Sequence, residues 1–524
     1  MSESIRVTIV NNQINKDING GDSKENLTKE KSGLWEVTHR LGATLMSTLL
    51  ENQLISGNFC GGRGVCGRCR VQFAEAAPVP TSMERRVFSA EELRNGFRLA
   101  CMVKPKDDCV IRLDFSEDPH IDVVTDMIGV SVKNDLSGQI ENGANGMDNG
   151  MKIVAVDLGT TTIAMQLMDM KTGRIEDTYC AMNPQRSYGA DVLSRIQAAN
   201  AGAAGRLRES VWEVLQKGMQ KFCQTLAQAS SETEQIGCMC IAGNTTMTHL
   251  LMGLSTKRLG SAPFEPETLE LLKGTWPEGI PFYVLPGMSA FVGGDITAGL
   301  YHCRMLASPM PGEPQLVSPQ EAVLFIDLGT NGEMAITDGT RTIVTATAAG
   351  PAFEGGAGAA VQGSDMIAVT ADLLKEHIMD ESGLLADPYF EQGVTLKNPA
   401  IYLTQKDIRD LQMAKAAVRA GVEILYKKIG CTKIAKVYLA GGFGYYLNVD
   451  AAIAVGLLPE HLRGVVTAVG NTSLAGAFLL GRDLYTGRIT EQTLMERLQR
   501  IESINLAEEE TFDSLYVSSL NFPE

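Results

Sequence analysis

The sequence lacks a basic surplus. Its 46 Lys and Arg stand against 62 Asp and Glu, a formal net charge of −16. That balance excludes nucleic acid as the main partner, since phosphate backbones are held by basic surfaces. It does not exclude a nucleotide, whose phosphates backbone N–H groups and a metal ion can hold. Histidine is scarce: His39, His120, His249, His302, His377 and His461 are scattered, none at a metal-ligand spacing, and a bland structural role is expected for each. No run of roughly 18 apolar residues suits a spanning helix, and the uncharged stretch Gly279–Gly294 is broken by Pro281 and Pro286. The opening residues, MSESIRVTIVNNQINKD, carry no apolar signal-peptide core. These absences predict a cytoplasmic protein with no membrane partner. The Walker pattern G-x-x-x-x-G-K-[ST] is also missing, which argues against a P-loop fold.

What is present is ordinary in bulk and specific in detail. The 524 residues exceed one compact core, so two or three domains are expected. Eleven cysteines in an intracellular chain point to metal or redox chemistry rather than disulfides. Residues 5–10 and 34–38 read as strands, 43–53 as a short amphipathic helix, and 70–73 and 110–113 as further strands. That order predicts a small β-grasp domain over residues 1–115. Residues 133–151, KNDLSGQIENGANGMDNGM, have the composition of a flexible linker. With the unassigned stretch before them they define a connecting segment, 116–151.

Cys60-x5-Cys66-x2-Cys69, with Cys101 well downstream, is the strongest signal. A [2Fe–2S] cluster takes four thiolates. Gly61, Gly62, Gly64 and Gly67 let the loop bend around it, and Cys101 locks the loop to the fold. The competing reading is zinc, which more often uses two separated C-x2-C pairs and fewer glycines. The loop resembles [2Fe–2S] ferredoxins; its first spacing, one residue longer than the plant type, is similar to the adrenodoxin-like branch. Cys109 reads as a core residue beside a strand. Cys180, Cys223, Cys238, Cys240, Cys303 and Cys431 read as core cysteines, including the Cys238-Met-Cys240 pair.

Residues 152–524 contain an internal echo. VAVDLGTTT (Val154–Thr162) and LFIDLGTNG (Leu324–Gly332) each read as a buried strand, an Asp-Leu-Gly-Thr turn and a return strand, 170 residues apart. Each half ends in a Gly/Ala helix, Gly293–Leu300 and Asn471–Phe478. The echo predicts two related lobes around a cleft. The glycines admit phosphate to the backbone, and Gly159, Thr160, Thr161 and Thr162 present donors to it. Asp157 suits water-mediated Mg²⁺ binding. The second hairpin offers Asp327, Gly329, Thr330, Asn331, Gly332 and Glu333. A strand running into Gly441-Gly442-Phe443-Gly444 reads either as a backbone platform for adenosine or as a tight strand–helix turn. Gly243-Asn244-Thr245-Thr246 reads either as a polar turn facing the cleft or as a helix cap. Asp295 is a candidate catalytic or water-positioning acid, against a solvated helix acid.

The ordered set of hairpins, connecting helices and glycine turn resembles the superfamily of acetate and sugar kinases, Hsp70 chaperones and actin. That resemblance implies a duplicated ribonuclease-H-like α/β domain binding ATP and Mg²⁺, behind a ferredoxin-like domain in an α+β multidomain chain. The whole chain, through the cysteine loop, VAVDLGTTT, NPQRSYGADVLSRI, IAGNTTMTHLL, IDLGTNGEM, AAGPAFEG and LAGGFGYYLNVDAAIAVGLLP, resembles the reductive activators of corrinoid proteins. The resemblance implies an ATP-dependent enzyme returning a partner's Co(II) corrinoid to Co(I). It implies a corrinoid protein of a methyl-transfer system as partner, an external low-potential electron donor, and a homodimer. Three other readings stay open: a small-molecule kinase with a redox-sensing ferredoxin domain, an activator of another low-potential metalloenzyme such as a radical dehydratase, and a plain electron carrier with an inactive nucleotide fold.

Overall fold

The computed structural model describes residues 4–10, 34–52, 69–113, 150–189, 191–228, 234–306, 317–318, 320–329, 331–349, 363–395 and 402–523. Two compact units emerge. One comprises Met1–Ile121 with Pro184–Ala198, the other Asp122–Asn183 with Ala199–Glu524. The expected linker, 133–151, lies outside the described residues except for its last two.

In the first unit, strands β1 (Ser4–Val10), β2 (Leu34–Arg40), β3 (Arg70–Phe73), β4 (Phe97–Leu99) and β5 (Cys109–Leu113) form one sheet in the order β2-β1-β5-β3-β4. β1 runs parallel to β5 and antiparallel to β2. Alternation decides which face is covered: Val7 and Ile9 are fully buried while Arg6 is exposed. The helix Leu45–Glu51 closes the core with Leu45, Met46 and Leu49. This is the β-grasp arrangement expected from sequence. Two short helices, Glu84–Val87 and Ala90–Arg94, and the strand β4 were not foreseen.

The second unit repeats one topology. β6 (Met151–Leu158), β7 (Thr162–Asp169), β8 (Ile175–Met182), β9 (Gln235–Gly243), β10 (Leu272–Thr275) and β11 (Pro281–Val284) form a sheet in the order β10-β11-β9-β6-β7-β8. The second half supplies β12 (Glu321–Leu328), β13 (Gly332–Thr337) and β14 (Thr342–Thr347). A two-stranded ladder of β15 (Val394–Thr395) and β16 (Tyr402–Leu403) follows. β17 (Lys433–Ala440), β18 (Val466–Gly470) and β19 (Ile501–Ser503) complete a sheet in the order β18-β17-β12-β13-β14-β19. In each sheet three antiparallel strands are followed by a fourth parallel to the first. That is a ribonuclease-H-like layout, used twice. β6 and β12 are almost continuously buried, as strands covered on both faces must be.

The helices Gly294–His302 and Thr472–Tyr485 share one core with both sheets, including Ile296, Ala298, Phe325, Leu474 and Phe478. They start within a residue of the expected Gly/Ala helices and run beyond them. They cross closely because their contact residues are small. A Cβ on Gly476 would collide with the carbonyl oxygen of Ala298. In an open helix Gly→Ala gains about 1 kcal/mol. At Gly476 the collision with backbone outweighs that gain, at a cost of about 1–3 kcal/mol for an overpacked site. Gly476→Ala should therefore lower the melting temperature by several degrees in a thermal denaturation; an unchanged or higher value would show that the helices slide apart freely.

Cys238, Cys240 and Cys303 are buried, as expected of core cysteines. Cys180 and Cys223 are exposed, which corrects the core reading for these two, while Cys431 is half-buried and packs against the core of the second half. Cys180 lies on β8, at the edge of its sheet. Cys223 lies on the long helix Ala204–Gln228, whose buried stripe runs through Leu215, Met219 and Phe222. An apolar sequence neighbourhood does not report which side of an edge strand or helix a residue occupies. No helix among the described residues is long and apolar enough to cross a membrane.

Candidate functional site

Two groups of residues carry chemistry, one in each unit. In the first unit, Cys69 ends the cysteine loop just before β3 and Cys101 stands two residues after the end of β4. Antiparallel pairing of β3 with β4 sets Arg70 opposite Leu99, and Ala100 N donates to Cys69 O at 2.8 Å. The two sulfurs consequently lie 3.3 Å apart, both buried. That is well beyond the ~2.05 Å of a disulfide and is a spacing at which two thiolates can share one metal. Cys60, Cys66 and the loop glycines Gly61, Gly62, Gly64 and Gly67 lie outside the described residues. Cys109 is half-buried on β5, and burial followed by the charge of Asp108 pushes its thiol up to about 11.

A buried carboxylate steadies the Cys101 arm. Glu84 accepts from Leu99 N at 2.8 Å through one oxygen, and from Thr81 N and Thr81 Oγ1 at 2.7 and 2.9 Å through the other. Arg98 is buried beside it and donates to the carbonyls of Pro78, Leu93 and Phe97. Burial lowers the pKa of Arg98, and the charge of Glu84 opposes that loss. Sequence reading passed over Glu84 and Arg98. Arg98 is itself the first residue of the RLAC stretch that bears Cys101, and Glu84 lies well upstream of it with no local pattern to mark it.

In the second unit the echo gathers carboxylates. Asp157 sits at the end of β6 and Asp327 at the end of β12. Asp295 lies in the first turn of the helix Gly294–His302, where its Oδ1 accepts from Ile296 N at 2.9 Å. Glu333 is paired directly across β12–β13 from Asp327. Like charges facing each other across a ladder are destabilising, so this pairing marks a site where something else meets the charge. Burial is the first cause of every shift: it pushes Asp157 up to about 6, Asp295 and Asp327 up to about 7, and Glu333 well above its ordinary value. Repulsion by Asp295 comes next for Asp327 and Glu333; for Asp295 itself the hydrogen bond from Ile296 N opposes the rise, and the charge of Asp157 then adds to it. Among the described residues, no basic side chain is a cause of any of the four shifts. Asp295 thus sits where burial and the charge of Asp157 both act on it.

The backbone around these carboxylates is held open. Gly159 tolerates no side chain, because a Cβ there would lie 2.8 Å from Thr162 O. Its carbonyl accepts from Asn183 Nδ2 at 2.8 Å, and Asn183 N donates to Thr161 O at 2.9 Å. Thr160 is buried and accepts from Asn244 Nδ2 at 3.0 Å; Thr161 and Thr162 are half-buried. Asn244 also caps the helix Thr245–Met252, its Oδ1 accepting from Met247 N at 2.9 Å. The helix-cap reading of that turn therefore holds, and the same side chain also reaches the first hairpin. In the second hairpin Gly329 N donates to Asn331 O at 2.9 Å, and a Cβ on Gly329 would meet nothing nearer than 4.0 Å. Thr330 lies outside the described residues.

Gly441 has φ +83°, and a Cβ there would collide with Asp327 Oδ1, so the glycine turn abuts the carboxylate cluster. Gly442 is exposed. Gly332 and Gly444 are buried instead against Thr347 and Val418, and against Leu439, where the structure uses them for close packing. Asn471 is the residue that sequence reading missed at this site. Its Nδ2 donates to Asp157 Oδ2 at 2.9 Å. It was visible only as the first letter of a helix.

The donor set suits a hard divalent cation: uncompensated carboxylates beside an open glycine turn. Among the described residues no three His, Cys, Asp or Glu side chains converge closely enough to hold a metal by themselves. This fits Mg²⁺, which keeps several waters and takes phosphate oxygens as ligands. Free aspartates titrate near 3.9, so between about pH 4 and 7 the folded chain binds more protons here than the unfolded chain. The cluster's contribution to stability is full below about pH 4 and is lost as pH rises through 6 to 7. A cation reverses that loss. The gain in melting temperature on adding Mg²⁺ should be larger at about pH 8 than at about pH 5.5; equal gains would show that these carboxylates do not meet the ion.

Comparison with known proteins covers nearly the whole chain. The family described as the RACo middle region matches residues 153–308. The C-terminal domain of RACo, the ASKHA domain, matches 321–360 and 357–524. The 2Fe-2S iron-sulfur cluster binding domain matches 31–106, a span that includes all four predicted ligand cysteines. The corrinoid activation enzyme RamQ of Eubacterium limosum is 30% identical over 437 residues, covering 70% of each chain. A reductase of the Co(II) methylated amine-specific corrinoid protein, from Methanosarcina barkeri, is 23% identical over 437 residues, 70% of this chain and 76% of that one. The solved structure of a reductive activator for a corrinoid, iron-sulfur protein superposes with a TM-score of 0.60 over 99% of this chain and 98% of that chain, at 24% identity, a likeness of fold.

Proposed function

We infer the function from a premise those matches supply: the chain belongs to the RACo family of corrinoid-activating enzymes, with a 2Fe-2S domain ahead of an ASKHA domain. We propose that it reduces the Co(II) corrinoid of a partner protein to Co(I) at the expense of ATP. The reading is carried by one observation. A single chain holds a pair of buried sulfurs 3.3 Å apart in a β-grasp unit and, in a duplicated ribonuclease-H-like fold, a group of carboxylates that burial and one another's charge push up in pKa.

Cys60, Cys66, Cys69 and Cys101 would hold a [2Fe–2S] cluster, which when bound supplies single electrons. Two of them, Cys69 and Cys101, are shielded from water, and Glu84 fixes the backbone that carries Cys101. In the ASKHA domain, Asp157 and Asp327 would take a hydrated Mg²⁺ from the two halves, with Asp295 and Glu333 as positioning acids for water. The backbone and hydroxyls at Gly159, Thr160, Thr161 and Thr162, and at Gly329, Thr330 and Asn331, would cradle the phosphates. Gly441 and Gly442 would lie along the nucleoside. Residues 1–115 then act as the electron-carrying part, 116–151 as the connection and 152–524 as the ATP-driven part. The partner would be a corrinoid protein of a methyl-transfer system, the reductant an external low-potential donor, the assembly a homodimer and the compartment the cytoplasm.

ATP is needed because Co(I) is a stronger reductant than a ferredoxin-type cluster. For one electron, 59 mV is a tenfold change in equilibrium, so a gap of a few hundred millivolts asks for roughly 5–7 kcal/mol. Nucleotide-driven closure of two lobes that share one core can deliver energy of that size to a bound partner. The test is to mix the reduced protein with a Co(II) corrinoid protein and follow the visible spectrum with and without ATP. A Co(I) yield that rises only with ATP supports the reading; equal yields defeat it.

A further inference from the structure

The helix Thr472–Tyr485 begins where β18 leaves the second sheet, yet its cap reaches the first half's carboxylate. Asn471 Oδ1 accepts from Leu474 N at 2.9 Å, which fixes the amide at the helix start. The other end of the same amide donates to Asp157 Oδ2 at 2.9 Å, across 314 residues of sequence. The helix itself is fastened below that point. Gly476 allows no gap to the Ala298 carbonyl, and the Cys238 thiol of β9 donates to Gly481 O at 3.6 Å. The amide therefore moves with the helix, and Asp157 feels where the helix is.

The choice of amide is chemically informative. A neutral donor occupies one carboxylate oxygen and leaves the other, with its charge, for a cation. A lysine or arginine would cancel that charge. An aspartate would repel it. Asn244 plays a parallel part from within the first half, as a cap whose amide holds Thr160.

We propose that Asn471 is a positioning residue for the metal–nucleotide: it orients the Asp157 carboxylate and ties it to the second half's connecting helix, so that Mg·ATP is held jointly by both halves. This role rests on the reading of the cleft as the Mg·ATP site. The experiment uses the full-length, cluster-loaded protein and titrates a fluorescent ATP analogue at a series of Mg²⁺ concentrations. Asn471→Ser and Asn471→Asp are compared with wild type and with Asn448→Asp. Ser and Asp cap helices about as well as Asn, so a role limited to capping leaves both variants unchanged. Asn448 caps the helix Val449–Ala454 by accepting from Ala451 N at 3.0 Å, and Asn448→Asp controls for the substitution itself.

A hydrogen bond to a charged group is worth enough to change affinity about ten- to a hundredfold. Asn471→Asp should weaken Mg·nucleotide binding by that factor and raise the Mg²⁺ needed for half-maximal binding. Asn471→Ser should show a smaller loss with a wild-type melting curve. Wild-type affinity and Mg²⁺ dependence in both Asn471 variants would overturn the role while leaving the nucleotide site standing. A wild-type chain that binds no analogue at any Mg²⁺ concentration would overturn both.

Discussion

Cys101→Ser should yield a chain that binds ATP but contains almost no iron. The wild type is expected to hold about two irons per chain in a [2Fe–2S] centre. The Sγ of Cys101 lies 3.3 Å from that of Cys69, so its loss opens one corner of the metal site. Serine offers a harder oxygen, poorly matched to iron that favours thiolate. Visible absorption and Co(I) formation should both disappear, while nucleotide binding by the other unit persists. Cys109→Ser is the control. Cys109 is only half-buried and its thiol is pushed up to about 11, the state of a protonated bystander. Iron analysis with absorption spectroscopy decides the matter. Full iron retention in Cys101→Ser, or iron loss in Cys109→Ser, would assign the fourth ligand elsewhere.

Asp327→Asn, and separately Asp157→Asn, should cut ATP hydrolysis on the order of a hundred- to a thousandfold, the scale of losing one preorganised electrostatic group. The cluster should remain at wild-type occupancy. Asp327 has a second expected effect of opposite sign. It faces Glu333 across the ladder and is repelled by Asp295 and Asp157. Removing its charge relieves that repulsion, so ligand-free Asp327→Asn should melt no lower than wild type above about pH 7. A site that is worse for the empty fold and better for the filled one is what a nucleotide–metal site requires. Steady-state ATPase assays and ligand-free melting curves test both signs. Unaltered hydrolysis in both variants would remove the carboxylates from the reaction.

Several features of this chain are legible without coordinates because short spacing encodes them. The Asp-Leu-Gly-Thr echo marks two hairpins, whose return strands the apolar runs Ile163–Asp169 and Glu333–Asp338 predict; they run at Thr162–Asp169 and Gly332–Thr337, within a residue of those limits. Arg70–Phe73 was legible as a strand residue for residue. Other features were not legible. Glu84 meets Leu99 N, and Asn471 meets Asp157, through contacts between separate elements, which no local pattern announces. Gly332 and Gly444 read as phosphate or nucleoside glycines, but a glycine needed for close packing and one needed for ligand approach look alike in sequence. Cys180 and Cys223 looked like core because their neighbours are apolar, yet edge strands and long helices expose one side whatever their neighbours are.

The sequence by itself determined the chemistry available: thiolates at a cluster spacing, and carboxylates placed at the ends of two repeated strands. It did so because both depend on residue identity and on separations of a few residues. Only the tertiary structure decided how those carboxylates act on one another and which side chains steady them. Repulsion among Asp157, Asp295, Asp327 and Glu333, and the 2.9 Å hydrogen bond from Asn471 to Asp157, arise from sheet register and helix crossing, which bring residues from distant parts of the chain together where burial raises the pKa of their carboxyls.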